Sequence, residues 1–296
     1  MRLHIGGYDV TQLTASITIT GDIKACARTL DAEIVQSPVD GNIPSIKIET
    51  GAQVTFEADG QDFYGIVFGV DRSTDASTID IKAYDLGIYL RRNKITYKAK
   101  RQTPEGAAKA ICAMLGVETG NIEITRHSFS RNYKDTTAYD AIMTGYTLAS
   151  KATGEQYVMR MRGTKLCVDR KGAYVATVLT PRSNLISATY SEAADENEEG
   201  GELTRKATVQ CKGNALCVTG NAVMVKETYT GLYGLFFIDG DTHQWTNNIY
   251  TCKLELNWKN TMDEKEAGAV IGKSKAKAAV SGDFVAVDPW GNPYDW

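Results

Sequence analysis

Short runs of alternating apolar and polar residues fill the first hundred positions, at residues 15–20, 26–35, 45–50, 54–58, 62–70 and 78–84. Thr, Ile, Val and Tyr dominate them and turn residues separate them, the pattern of an all-β domain. Six short strands predict one closed or sandwiched sheet. In Ile46, Lys47, Ile48, Glu49 and again in Ile79, Asp80, Ile81, Lys82, the apolar side chains fall on one face and the charges on the other. Asp59, Gly60, Gln61 and Asp62 read as a hairpin turn, since Asp-Gly supplies positive φ. Asp85 is placed to cap one or two helical turns over residues 86–93.

Near residue 100 the period changes from two to 3.6. Thr103, Pro104 and Glu105 supply an N-cap, a first-turn proline and an early acid, and Ala107, Ala108, Ile111, Met114 and Leu115 recur at helical spacing until Gly116. A second helix is predicted over 137–151, ended by Gly154, and two strands follow at 156–161 and 165–169 around a turn at 162–164. Strand texture resumes at 185–190, breaks at the acidic segment 191–202, read as an exposed loop, and returns at 207–211, 222–226, 235–238 and 249–258. Residues 261–280 are helical in composition, rich in Ala, Lys and Glu, although Gly268 and Gly272 weaken that helix. The last residues carry Phe284, Trp290, Tyr294 and Trp296, broken by Pro289 and Pro293, and read as an arm with aromatic anchors for a partner's groove; the competing reading folds it back on its own barrel.

The chain has 296 residues, enough for about two domains. Its 33 basic and 36 acidic residues leave a formal net charge of −3, without the basic excess that phosphate contacts need, so neither nucleic acid nor membrane is an expected partner. No apolar stretch approaches the roughly 18 residues of a spanning helix, and the start lacks a signal core, which predicts a soluble protein made in the cytoplasm. Six scattered cysteines without a CxxC read as small buried hydrophobes.

No phosphate-cradling motif is present, no cofactor is implied, and only three histidines occur. His243 follows Asp239, Gly240, Asp241 and Thr242, a set that suits either a metal ligand cluster or a capped hairpin turn. The turn is the preferred reading, because no second cluster completes a coordination shell; no catalytic residue and no metal ligand is assigned. Two basic pieces, Arg91, Arg92, Lys94, Lys98, Lys100, Arg101 and Lys273, Lys275, Lys277, read as solvated faces or linkers, or as surfaces that meet an acidic protein.

Several stretches, in order, carry a resemblance: residues 62–70 within GQDFYGIVFGV, AYDLGIYLRRNKITYKAK, TPEGAAKAICAMLGVETGNI and, over 229–263, YTGLYGLFFIDGDTHQWTNNIYTCKLELNWKNTMD. Across roughly residues 15–263 the chain resembles the XkdQ/YqbQ-like family of tail hub proteins from PBSX-like prophages and related contractile phages. The resemblance implies a mainly β (α+β) chain of two tube-like β-barrel domains with a small α/β, LysM-like insert. The expected boundaries are 1–98 for the first barrel, 99–172 for the insert, 173–260 for the second barrel, shortened near 191–204, and 261–296 for a C-terminal arm. It further implies a homotrimeric, non-enzymatic baseplate hub in the virion that adapts the hexameric inner tube to the trimeric spike. Its expected partners are the spike, inner tube, tape measure and other baseplate proteins. A tail-associated peptidoglycan hydrolase or a cell-wall-binding module is the alternative.

Overall fold

The computed structural model describes residues 1–37, 40–44, 46–73, 77–194 and 203–271. The four aromatic anchors Phe284, Trp290, Tyr294 and Trp296 and the lysines Lys273, Lys275 and Lys277 lie outside the described residues.

The first β module contains β1 (Arg2–Ile5), β2 (Tyr8–Asp9), β3 (Thr14–Asp22), β4 (Thr29–Val35), β5 (Gln53–Ala58), β6 (Gln61–Arg72) and β7 (Thr78–Asp85). Alternation along these strands sends Ile17, Ile19, Leu30, Ile34, Phe56 and Ile81 into one core. Asp59 and Gly60 take φ of 50° and 80° in the β5–β6 turn, as Asp-Gly there requires. Residues 46–49 alternate as expected, with Ile48 in the core and Lys47 paired to Glu49 outside, but they join no ladder. The Ile48 carbonyl accepts instead from Arg72 Nη2 at 2.6 Å.

The α/β module follows: α1 (Gly87–Arg92), β8 (Lys94–Gln102), α2 (Pro104–Met114), β9 (Thr119–Ile122), β10 (Phe129–Thr137), α3 (Ala138–Thr153), β11 (Tyr157–Arg162) and β12 (Lys165–Arg170). Asp85 accepts the Gly87 amide at 2.9 Å at the start of α1. Thr103 and Thr137 cap α2 and α3 through their hydroxyls, and Gly154 ends α3 in the left-handed region. The basic piece around residue 98 is no linker: it is β8, with Ile95 and Ala99 in the core and Lys94, Lys98 and Lys100 facing water. Charge had masked a period of two. The helices pack between two three-stranded sheets, one in which β10 lies between β8 and the later β19 (Ala269–Val270) and one in which β12 lies between β9 and β11.

The second β module contains β13 (Val175–Leu179), β14 (Leu185–Ala194), β15 (Leu203–Lys212), β16 (Ala222–Lys226), β17 (Tyr233–Thr246) and β18 (Ile249–Asn257). Residues 191–194 are not loop, because they extend β14 in register with β15, from Ser191 opposite Lys206 to Ala194 opposite Leu203. The second β module does not stand apart. One sheet runs in the order β14-β15-β18-β17-β3-β4-β7-β6-β5-β1-β2, and β16 and then β13 branch from the start of β17. Strand β17 serves two cores, sending Phe236 and Ile238 into the second and Trp245 into the first.

The expected helix after residue 260 is absent among the described residues. Residues 261–268 run back as a strap across α3 and end in β19 (Ala269–Val270), which pairs with β10. Tyr139 donates to Asp263 at 2.7 Å, and the Lys265 and Ala267 amides donate to Thr147 and Thr144 hydroxyls at 2.9 and 3.0 Å. These tertiary partners satisfy the backbone better than a Gly-interrupted helix would.

Candidate functional site

The segment from Asp239 to His243 is neither a hairpin turn nor a metal cluster; it lies in the middle of β17. Ile238 pairs with Leu256 and Gly240 with Glu255, so Asp239 is the extra residue of a β-bulge. Before the bulge the inward residues are even-numbered, Phe236 and Ile238; after it they are odd-numbered, Asp241, His243 and Trp245. One inserted residue thus keeps apolar and ionic groups on the same face of the sheet.

Both acids of the bulge act as clasps. Asp241 is 2 % exposed and receives Arg28 Nη1 and Nη2 from the end of the β3–β4 connection, at 3.0 and 2.5 Å. The Thr219 amide and hydroxyl donate to the same carboxylate, each at 2.7 Å. Gly21 must lack a side chain here, since a Cβ would sit 2.5 Å from Arg28 Nη1 and 2.7 Å from Asp241 Oδ1. Asp239 points the other way, to the buried ammonium of Lys171, which also donates to the Thr261 carbonyl at 2.6 Å. Asn257 donates to Asp239 at 2.8 Å. Burial lowers the proton affinity of Lys171, and Asp239 opposes that shift. Through these contacts β17 binds the first β module by Arg28 and the α/β module by Lys171.

His243 is fully buried beside Asp241. Its Nε2 lies 3.2 Å from Asp241 Oδ2 and 3.1 Å from the Cys217 carbonyl, while Nδ1 lies 2.7 Å from the Tyr250 hydroxyl and 3.3 Å from Cys252 Sγ. Burial disfavours the imidazolium, but the hydrogen bonds to Asp241 and Cys252 and the Asp241 charge outweigh it, and the pKa is pushed up to about 9. Burial likewise opposes the Asp241 charge, yet Arg28 and His243 hold that carboxyl far below the usual range.

Cys252, His243 and Asp241 therefore stand in the order nucleophile, base and orienting acid. The arrangement is sealed: Cys252 and His243 are both 0 % exposed. Contact with Cys211, followed by burial, raises the Cys252 thiol to about 12, the reverse of an activated nucleophile. Closed off from solvent at both the sulfur and the ring, the constellation is placed as a polar rivet. An opening of about 400 Å³ between the modules is lined by Arg28, Gln61, Arg160, Arg162 and Tyr174. The cysteines are buried and free, as expected of small hydrophobes. His4 and His127 lie apart from this seam, near the surface. Arg28, Thr219 and Lys171 carried no signal in the sequence, whereas the parity slip from Ile238 to Asp241 was a legible sign of a bulge.

Two β modules sharing a sheet, with an α/β module between them in the chain, form the fold of phage tail proteins. The structure is similar to the 43 kDa tail protein of prophage MuSo2 from Shewanella oneidensis, at TM-score 0.69 and 16 % identity over 86 % of this chain and 95 % of that one. It also matches a type VI secretion component of Escherichia coli, itself structurally similar to the T4 bacteriophage tail proteins gp27 and gp5. There the TM-score is 0.56 at 11 % identity, covering 92 % of this chain and 80 % of the other.

The chain belongs to the YQBQ-like family, whose model matches residues 17–200 and 197–257. It is 29 % identical to the phage-like element PBSX protein XkdQ of Bacillus subtilis over 84 % of this chain and 94 % of that protein.

Proposed function

We propose that this chain is the hub of a contractile-type phage tail or phage-like particle, a homotrimeric adaptor between the hexameric inner tube and the trimeric spike. The observation that carries the reading is the single sheet that crosses both β modules through β17 and β3. Each copy thereby holds two β modules rigidly side by side, and three copies would offer six sheet segments to a sixfold tube and one threefold axis to a spike. The outward side of that sheet is polar over much of its width, with Thr189, Thr208, Thr242, Gln244 and Thr251 on one half and Thr18, Asp31, Glu33 and Asp80 on the other. A wet, shallow face of this kind suits the wall of a passage and offers no deep ligand pocket.

On this reading the two β modules are the barrels expected at 1–98 and 173–260, with β8 wholly in the insert between them, and the arm lies beyond the strap that ends in β19. Phe284, Trp290, Tyr294 and Trp296 anchor the arm to a neighbouring baseplate protein. The spike, inner tube and tape measure are the partners, and the assembled virion is the location.

Light scattering on the purified chain, alone and mixed with the spike from the same particle, tests the proposal. A three-copy mass, or a three-to-three complex with the spike, is the expected result. A single-copy mass that the spike leaves unchanged would overturn it.

A further inference from the structure

Where the three modules meet, the opening of about 400 Å³ collects guanidinium groups. Arg28 enters from the first β module and Arg160 and Arg162 from β11 of the α/β module, while Tyr174 and Leu216 flank it from the second β module. The side chains of Arg28 and Arg160 are each 15 % exposed and that of Arg162 is 49 %, so two cations are recessed and one stands in solvent. Asp241 holds Arg28, but Arg160 and Arg162 share the carboxylate of Asp169, and Arg160 Nε is buried with no partner among the described residues. Burial works against the Arg160 charge, Asp169 opposes that, and Arg162 and Arg28 add to it. Among the described residues of the lining, Asp62 is the one acid against three arginines, which leaves a cleft that favours a carboxylate from outside.

The densest run of acids in the chain is Asp195, Glu196, Glu198, Glu199 and Glu202, with no basic residue among them. That segment, 195–202, lies outside the described residues, but both its ends are fixed, because Ala194 pairs with Leu203 at the end of the β14–β15 hairpin. From there β15 runs ten residues to Lys212, a span of about 30 Å, before the chain turns through Gly213 toward Leu216 and the cleft. A segment of this length anchored at both ends reaches out no further than about 15 Å, so its acids cannot enter the cleft of their own copy. We propose that the cleft receives the acidic segment of a second copy, head to tail, a reading that rests on the ring proposed above. Segment and cleft stand at opposite ends of one strand pair, the heterologous arrangement that closes into a ring when the rotation between copies permits.

The test follows the mass of the full chain by light scattering over a dilution series, with the spike present if assembly needs it. Wild type is compared with Arg162→Glu, with a segment variant carrying Glu198→Lys and Glu199→Lys, and with the two combined. The expected result is a three-copy wild type whose dissociation constant rises about tenfold or more in the cleft variant and in the segment variant, and recovers most of that loss when they are combined. Added salt should weaken the wild type in the same direction. Circular dichroism checks each fold. If Arg162→Glu loses its fold, a synthetic peptide of residues 192–204 decides: in excess it should take the wild-type assembly apart, and the same peptide with its acids replaced by Asn and Gln should not. A three-copy wild type that neither variant weakens, that only one of them weakens, or that the peptide leaves intact overturns this contact and leaves the ring standing. A chain that stays a single copy, with or without the spike, overturns the ring and this contact with it.

Discussion

Five donor contacts converge on Asp241, from Arg28, Thr219 and His243. Removing its charge would strand a guanidinium and an imidazolium in the interior, and losing one partner of such a group costs about 3–5 kcal/mol. Asp241→Asn should therefore lower the unfolding free energy by that order in a urea titration; an effect below about 1 kcal/mol would mean the clasp is dispensable. The His243 shift makes a separate, signed prediction. A group whose pKa is raised in the fold contributes stability that is complete below its unfolded value, near 6.5, and is lost as the pH rises through about 9. Stability should fall between pH 6.5 and 9 in the wild type, and that slope should flatten in His243→Gln, as read by thermal melts at constant ionic strength.

The bulge in β17 matters more than any one of its residues. Deleting Asp239 restores a strict alternation, which turns either Phe236 and Ile238 or Asp241, His243 and Trp245 to the opposite side of the sheet. Either outcome leaves charges in an apolar core or aromatic groups in water. The deletion should yield a protein that is digested by limited proteolysis where the wild type resists. The strap is a second element defined by its contacts. Thr147→Val removes the acceptor of the Lys265 amide, at a cost near 1 kcal/mol. Faster hydrogen exchange at Lys265, with α3 amides unchanged, is the expected readout; unchanged exchange would show that the Tyr139–Asp263 bond and β19 hold the strap alone.

At the scale of the whole molecule, the three cores are riveted rather than strung. Arg28 ties the first β module to β17, Lys171 ties the α/β module to the bulge of β17, and Arg160 donates to the Thr219 carbonyl at 3.1 Å across the remaining gap. The proposed adaptor role calls for such stiffness, because relative rotation of the β modules would spoil a ring made from them. The seam accordingly predicts one cooperative unfolding transition for the described modules. Calorimetry that resolved a separate transition for the α/β module would count against rigid coupling.

Much of this was legible in the chain. The period-two runs marked most strands of the first β module, Asp59-Gly60 marked its hairpin, and Thr103, Thr137 and Gly154 marked the helix ends, because propensity and capping act within a few residues of themselves. Local rules also misled where tertiary partners outbid them. Asp239-Gly240-Asp241 has the composition of a turn, and partners distant in sequence, Arg28 and Lys171 foremost, make it tolerable inside a strand. Residues 261–268 have the composition of a helix, and the hydroxyls of Tyr139, Thr144 and Thr147, with the pairing of β19 to β10, draw them out into a strap. The sequence by itself determined which residues seek burial and where strands and helices begin. Which module each strand serves, and which buried charges find one another, was decided by long-range pairing, since periodicity assigns a side chain to a face but never names what lies across from it.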